Sequence, residues 1–137
     1  MSPVLDAGER AALDAAADRL VPADEHGPGA VEMGATVAAL RALDDDLRAQ
    51  LPAVRAALHA LGGGFATAGA AAQDAALARL QEAEPAAFGV LRSLVLEGVF
   101  GDPVHGGNAG HSGWRLLGYP GPRAHVTAED QAIRALP

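Results

Sequence analysis

Cysteine is absent from the 137-residue chain, and aromatic residues account for only 4% of it. Without a thiol, the chain can form no disulfide, no cysteine nucleophile and no cysteine-ligated zinc or iron–sulfur centre. With so few aromatic side chains, a hydrophobic core must be built mainly from alanine, leucine and valine. Because alanine is the best helix former, this composition favours helices.

Positive charge and long apolar runs are also scarce. The 10 basic residues are outnumbered by 17 acidic ones, which gives a formal net charge of −7 at pH 7. This balance excludes the basic surface with which proteins bind nucleic acids or anionic membranes. No apolar run approaches the roughly 18 residues of a membrane-spanning helix, and the N-terminus lacks the basic region that opens a secretory signal. The sequence therefore predicts neither a nucleic-acid partner nor direct insertion into a membrane.

A helix is predicted close to the N-terminus. Asp6-Ala-Gly-Glu9 has the pattern of a capping box, in which each side chain bonds the backbone amide of the other residue. The positions that follow are apolar at spacings of i, i+3, i+4 and i+7, and Pro22 ends the helix. Its apolar face consists of Leu13, Ala16, Ala17 and Leu20.

Two further apolar patterns precede residue 66. A second helix is predicted to start near Gly29 or Ala30, and three aspartates at residues 44–46 are typical of a solvated helix end rather than of a metal site. A longer pattern spans residues 47–65, and Pro52 predicts a kink or a fresh helix start within it. The apolar face of the second helix consists of Ala30, Met33, Val37 and Leu40, and that of the longer pattern of Leu47, Leu51, Val54, Leu58, Leu61 and Phe65.

Two more helices complete the predicted bundle. One covers about residues 70–82, and Glu84-Pro85 opens the next, since proline is tolerated in the first turn of a helix. The sequence therefore predicts an all-α fold, with residues 1–137 forming a single domain. About five helices form its bundle over residues 6–100. The inward residues of the last two helices are Leu77 and Leu80, and Phe88, Leu91, Val95 and Val99.

Composition changes sharply after the bundle. Residues 101–123 are rich in glycine and proline and contain the only tryptophan and the only tyrosine of the chain. Glycine lets the backbone adopt positive φ and approach another surface closely, and residues 119–122 fit a type II turn. Trp114 either contacts a partner as an interface anchor or packs against the helices of its own chain as a core residue. We predict a long structured loop that contacts a partner, followed by a short tail at residues 124–137 with a helical turn or two from Thr127.

Three kinds of site can be tested against the residues of this segment. Asp102, His105 and His111 carry the ligand types of a 2-His-1-carboxylate metal site, but their spacing matches no metal template. Residues 106–110 are glycine-rich, yet no strand precedes them and no helix clearly follows, so the context of a nucleotide-binding loop is missing. Ser112 stands beside a histidine, but sequence neighbours do not form a catalytic triad.

The segment also carries a longer pattern. Residues 98–108 read GVFGDPVHGGN, and residues 113–121 read GWRLLGYPG; nearer the N-terminus, LVP at residues 20–22 precedes PGA at residues 28–30. With these motifs the chain resembles the gluconate 2-dehydrogenase subunit 3 family over about residues 8–122.

The resemblance implies a non-catalytic small subunit of a heteromeric complex. Its partner is a large FAD-carrying oxidoreductase of the glucose–methanol–choline type, which oxidises sugars or sugar acids such as gluconate, glucose or glycosides at C3. On this basis the FAD and the catalytic residues belong to the large subunit, and this chain holds no cofactor and no metal. The small subunit helps the large one to fold, mature or be exported, and a cytochrome c is a further partner in many complexes.

The resemblance also bears on location and on the interface. Many members carry a twin-arginine signal, which this chain lacks, so we expect a cytoplasmic location for the chain as given and a periplasmic or extracytoplasmic one if a leader was trimmed. Two alternatives stay open: an independent metal-binding or enzymatic protein that uses Asp102, His105 and His111, and a bundle that holds the flavoprotein only transiently, like a chaperone. The predicted interface residues are Phe100, Pro103, Gly106, Gly107, Asn108, Trp114, Tyr119, Pro120 and Gly121.

Overall fold

The first helix begins where its capping box predicts. A computed structural model describes residues 3–122, 127–129 and 131, and in it α1 spans Ala7–Leu20. The Asp6 carboxylate accepts a hydrogen bond from the Glu9 amide at 2.8 Å, and the Glu9 carboxylate accepts one from the Asp6 amide at 2.9 Å. Of the predicted apolar face, Leu13, Ala16 and Ala17 are fully buried and Leu20 is half-buried.

In the described part of the chain five further helices follow α1, and the fold is all-α as predicted. Short 3₁₀ turns connect several of them. Within the described residues there is no strand, although Asp24 and Gly27 form an isolated bridge, and no helix there has both the length and the hydropathy to cross a membrane. The helices are α2 (Ala35–Asp44), α3 (Leu51–Ala60), α4 (Ala70–Ala83), α5 (Pro85–Phe100) and α6 (Ser112–Leu117).

The start predicted for the second helix is wrong by about five residues. Residues 31–34 form turns, and α2 begins after Gly34, whose φ of 82° lies in the left-handed region. This break changes the phase of the helix, so Val37 is 41% exposed instead of facing the core. The buried positions of α2 are Ala35, Thr36, Ala38, Ala39 and Leu43.

The other predicted boundaries agree with the structure. α3 makes a fresh start at Leu51 with Pro52 in its first turn, and α5 begins at Pro85. The three aspartates at residues 44–46, where α2 ends, are exposed, as expected of a solvated helix end. In the tail, the Gln131 amide bonds the Thr127 carbonyl at 3.3 Å, which is a single turn; the remainder of the predicted tail helix lies outside the described residues.

Helix α5 occupies the centre of the bundle and packs against α2, α3 and α4. Leu91 and Val99 on α5 are fully buried. Near its C-terminal end, Gly98 faces Ala35, and a Cβ at position 98 would lie 2.7 Å from the Cα of Ala35. Glycine is therefore required at position 98, and the close crossing it allows brings the start of α2 against the end of α5.

A charged cluster ties α1 to α3. The Glu9 carboxylate, whose side chain is only 9% exposed, lies 3.0 Å from Nε2 of His59 and 3.4 Å from Nε of Arg55. The hydrogen bond from the Asp6 amide, then that from His59 and the charge of Arg55, lower the pKa of Glu9 below its usual 4.5. A carboxyl whose pKa is lowered in the folded state stabilises the fold above its unfolded pKa. That contribution is lost as the pH falls through the folded pKa.

Replacing Glu9 by glutamine tests this cluster. Glutamine can still complete the capping box, so the substitution removes mainly the charge, and we expect a loss of roughly 1 kcal/mol in the free energy of unfolding at neutral pH. The loss should shrink in acid, because the wild-type carboxyl is then protonated. Urea unfolding at pH 7 and below the pKa of Glu9 measures both values, with the exposed Glu32→Gln as the matched control. An equal loss at both pH values would show that the charge has no role.

Candidate functional site

The segment after α5 is ordered, as the predicted structured loop requires, and it contains more regular structure than the sequence indicates. It contains 3₁₀ turns at Pro103–His105 and Ala109–His111, and then the six-residue helix α6. A helix of that length is too short to show an apolar period, which is why the pattern did not reveal it. Its start is instead determined by hydrogen bonds from outside the helix.

Asn108 is the residue that holds this unit together. Its side chain is fully buried, and its backbone is left-handed with a φ of 47°. The amide nitrogen Nδ2 donates to the Gly101 carbonyl at 2.9 Å, while Oδ1 accepts from the amides of Gly113 at 2.8 Å and Trp114 at 3.3 Å. Those two amides lie in the first turn of α6, where no partner exists within the helix. One side chain therefore closes the turn after α5 and caps α6.

Two glycines allow backbone to pack directly on backbone at this point. A Cβ on Gly107 would overlap the carbonyl oxygen of Gly98, and a Cβ on Gly113 would overlap that of Val99. Gly106 lies against the guanidinium of Arg41 instead, and its φ of 98° is left-handed. Packing within the chain therefore requires glycine at positions 107 and 113, and the backbone conformation favours it at position 106.

Trp114 is fixed at the end of α5 by the same arrangement. Its indole N–H donates to the Phe100 carbonyl at 2.8 Å. The His111 ring stacks on it at 5.2 Å and 26°, and the Tyr119 ring meets it edge-on at 5.2 Å and 85°. The half-buried indole supports the interpretation that Trp114 packs on its own chain.

The predicted interface residues lie at different depths. Their contact with a partner stays a prediction, and only the exposed ones can make it without rearrangement of the segment. Three are buried (Gly107, Asn108 and Gly121), four are half-buried (Phe100, Pro103, Gly106 and Trp114), and two are exposed (Tyr119 and Pro120).

Sequence reasoning named only one, Tyr119, of the apolar side chains that this segment exposes. Val104 is 74% exposed, Leu117 64% and Tyr119 45%, and Leu116 is 37% exposed although it contacts Gly27. No local pattern marked their exposure, because adjacent apolar residues on a helix can both be buried, as Leu94 and Val95 are on α5. We call Leu116, Leu117 and Tyr119, which lie within four consecutive residues, the exposed apolar patch of the segment.

The metal hypothesis finds no support in the arrangement of its residues. The Asp102 carboxylate accepts from the Val104 amide at 3.0 Å and caps the turn that follows, and His111 is stacked on the indole. In residues 3–122, 127–129 and 131, no three histidine, cysteine, aspartate or glutamate side chains form a group that could hold a metal ion. The Ser112 hydroxyl donates to the Ala109 carbonyl at 2.6 Å, a local bond that serves the turn.

One known protein family matches the chain across both the bundle and this segment. The family described as Gluconate 2-dehydrogenase subunit 3 matches the chain over residues 7–121. The match runs from the first helix to the turn after α6, so it includes the bundle and the anchored segment together. Comparisons with curated proteins and with solved structures gave no match. Because the matched region is most of the chain, the protein belongs to the gluconate 2-dehydrogenase subunit 3 family.

Proposed function

We propose that this chain is a non-catalytic small subunit that binds and stabilises the large subunit of an FAD-dependent sugar or sugar-acid dehydrogenase. Membership of a family described as a dehydrogenase subunit supports an accessory role. In this proposal the large subunit is an oxidoreductase of the glucose–methanol–choline type, and it carries both the FAD and the residues that oxidise the CH–OH group. A cytochrome c is a further proposed partner, as the acceptor of the electrons.

The observation that carries the proposal is the exposed apolar patch on an anchored support. Leu117 and Tyr119 are close together in sequence, and both are largely exposed. Beneath them, the buried Asn108 and the backbone contacts of Gly107 and Gly113 fix α6 to the bundle. A surface that is already ordered loses little conformational entropy on binding. A few residues near the centre of an interface, most often aromatic residues or arginine, contribute most of the binding energy.

If a large flavoprotein is encoded beside this chain, co-expression of the two tests the proposal. We expect the two chains to elute together in size exclusion, with flavin absorbance in the same peak and sugar oxidation by that fraction. Leu117→Glu should remove most of the chain from the flavin peak, because it places a charge in the apolar contact. Val37→Glu is the matched control, because it places the same charge at an exposed apolar residue on α2, and it should leave the complex intact.

Two outcomes separate this role from its alternatives. If the flavoprotein is soluble, loaded with flavin and active without this chain, and the two never elute together, the proposal is wrong. If the flavoprotein loads flavin only when the chain is co-expressed and yet elutes without it, the chain acts transiently during maturation instead of as a lasting subunit.

A further inference from the structure

A groove of about 530 Å³ runs between α2 and α5 and reaches the turn at residues 101–105. Its floor is made mostly of small apolar residues, so the two helices approach closely there. Leu47 and Leu94 supply its larger apolar surface. The small residues that line it are Ala38, Ala39, Ala42, Gly98 and Gly101.

The groove continues along α5. A neighbouring depression of about 470 Å³ shares Leu47, Leu94 and Glu97 with it. On α5 this depression is lined at spacings of three and four, the pattern of one helix face. These α5 residues are Ala86, Gly89, Val90, Ser93, Leu94 and Glu97. One side of the central helix is therefore open along most of its length in the described part of the chain.

Gly89 differs from the glycines that pack against backbone. A Cβ at position 89 would have no atom within 4 Å, whereas at Gly98 or Gly107 it would overlap the backbone of the same chain. Glycine within a helix is unfavourable relative to alanine. Packing inside this chain therefore gives no reason for glycine at position 89, but close approach by another backbone along the open face of α5 would.

The rim of the groove is predominantly acidic. Four carboxylates line it, against one guanidinium, that of Arg41, and the imidazole of His105. Among the described residues, Asp45, Asp46 and Glu97 form no ion pair. The fourth carboxylate, Asp102, is engaged with a backbone amide. An apolar floor between unpaired carboxylates favours an occupant that is both apolar and cationic.

We propose that this groove receives a segment of the large flavoprotein subunit, one that inserts apolar side chains between α2 and α5 and sets arginine or lysine against the acidic rim. The inference rests on the proposed function and names a second contact beyond the exposed apolar patch. A second copy of this chain fits less well, because two chains of charge −7 repel each other.

A competition inside the cell tests the groove on the intact complex. The flavoprotein is co-expressed with a tagged wild-type chain and an equal amount of an untagged competitor, and mass spectrometry gives the ratio of the two chains in the flavin-containing peak. Glu97→Lys reverses one rim charge, and Glu82→Lys makes the same change on the exposed face of α4. Ala42→Leu fills the groove, and Ala72→Leu adds the same volume to an exposed site on α4. Circular dichroism of each purified variant confirms that it folds.

We expect both groove variants to be depleted about tenfold relative to wild type, and both control variants to be incorporated equally. If Glu97→Lys and Ala42→Leu are incorporated as well as wild type, the proposal that the groove binds the flavoprotein is wrong, while the proposed function stays intact. Absence of the wild-type chain from the flavin peak would overturn both. Self-association of the purified chain that Glu97→Lys abolishes would assign the groove to a second copy and also overturn the inference.

Discussion

Replacing Asn108 by alanine is expected to lower the free energy of unfolding by about 4 kcal/mol and to detach α6 from the end of α5. The side chain is fully buried, and its loss leaves the carbonyl of Gly101 and the amides of Gly113 and Trp114 without a partner. Each buried polar group left unpaired costs about 1–3 kcal/mol. Alanine in the left-handed conformation adds about 1 kcal/mol of strain.

The single tryptophan makes the local part of this effect measurable. Trp114 lies in the unit that Asn108 holds, and the chain has no other tryptophan. In urea, we expect the tryptophan fluorescence of Asn108→Ala to change at lower denaturant than its helical circular dichroism, whereas the two transitions of the wild type coincide. Asn108→Gly relieves the backbone strain but does not restore the hydrogen bonds of the side chain. It should therefore recover only the smaller part of the lost free energy of unfolding. Coincident transitions at the wild-type midpoint in Asn108→Ala would mean that another contact anchors the segment.

The sequence alone predicts a helix boundary correctly where neighbouring residues determine that boundary. The capping box at Asp6 and Glu9 and the prolines at positions 52 and 85 act within one helical turn, and α1, α3 and α5 begin where these signals predict. The start of α2 depends on a distant partner. The carbonyl of Met33 accepts the amide of Ala109 at 2.9 Å, and the Ala35 amide bonds the Ala30 carbonyl. No local pattern contains the contact with Ala109, which explains the error.

Prediction from the sequence is limited in the same way at the candidate site. Glycines and an asparagine predict close backbone approach and left-handed conformations, but they do not identify the surface that is approached. The sequence predicts that Gly107 and Asn108 lie at or beside a partner interface, which stays a prediction, and it does not reveal that both are buried against α5 and α6 of the same chain. The residues left free to meet a partner are apolar side chains such as Leu117, whose exposure depends on the orientation of a helix too short to be predicted.

Two glycine-to-alanine substitutions are expected to change stability in opposite directions. Gly107→Ala should lower the free energy of unfolding by about 2–3 kcal/mol. Its Cβ would overlap the carbonyl oxygen of Gly98, which also accepts the Asn108 amide at 2.8 Å, so neither backbone can move without breaking that bond. Gly89→Ala should raise the free energy of unfolding by about 0.5–1 kcal/mol, because its Cβ meets open space and alanine favours the helix. Urea unfolding of the isolated chain measures both.

The Gly89 variant also separates stability from binding. In the isolated chain the added methyl group only favours α5, but in the complex it would occupy the open face along which we propose that the flavoprotein segment lies. We therefore expect Gly89→Ala to be more stable than wild type and yet to be depleted in the co-expression competition. A folding defect cannot explain poorer incorporation of a more stable chain, so that pair of results would place the contact on α5. Better stability with unchanged incorporation would exclude the stretch of α5 around position 89 from the interface.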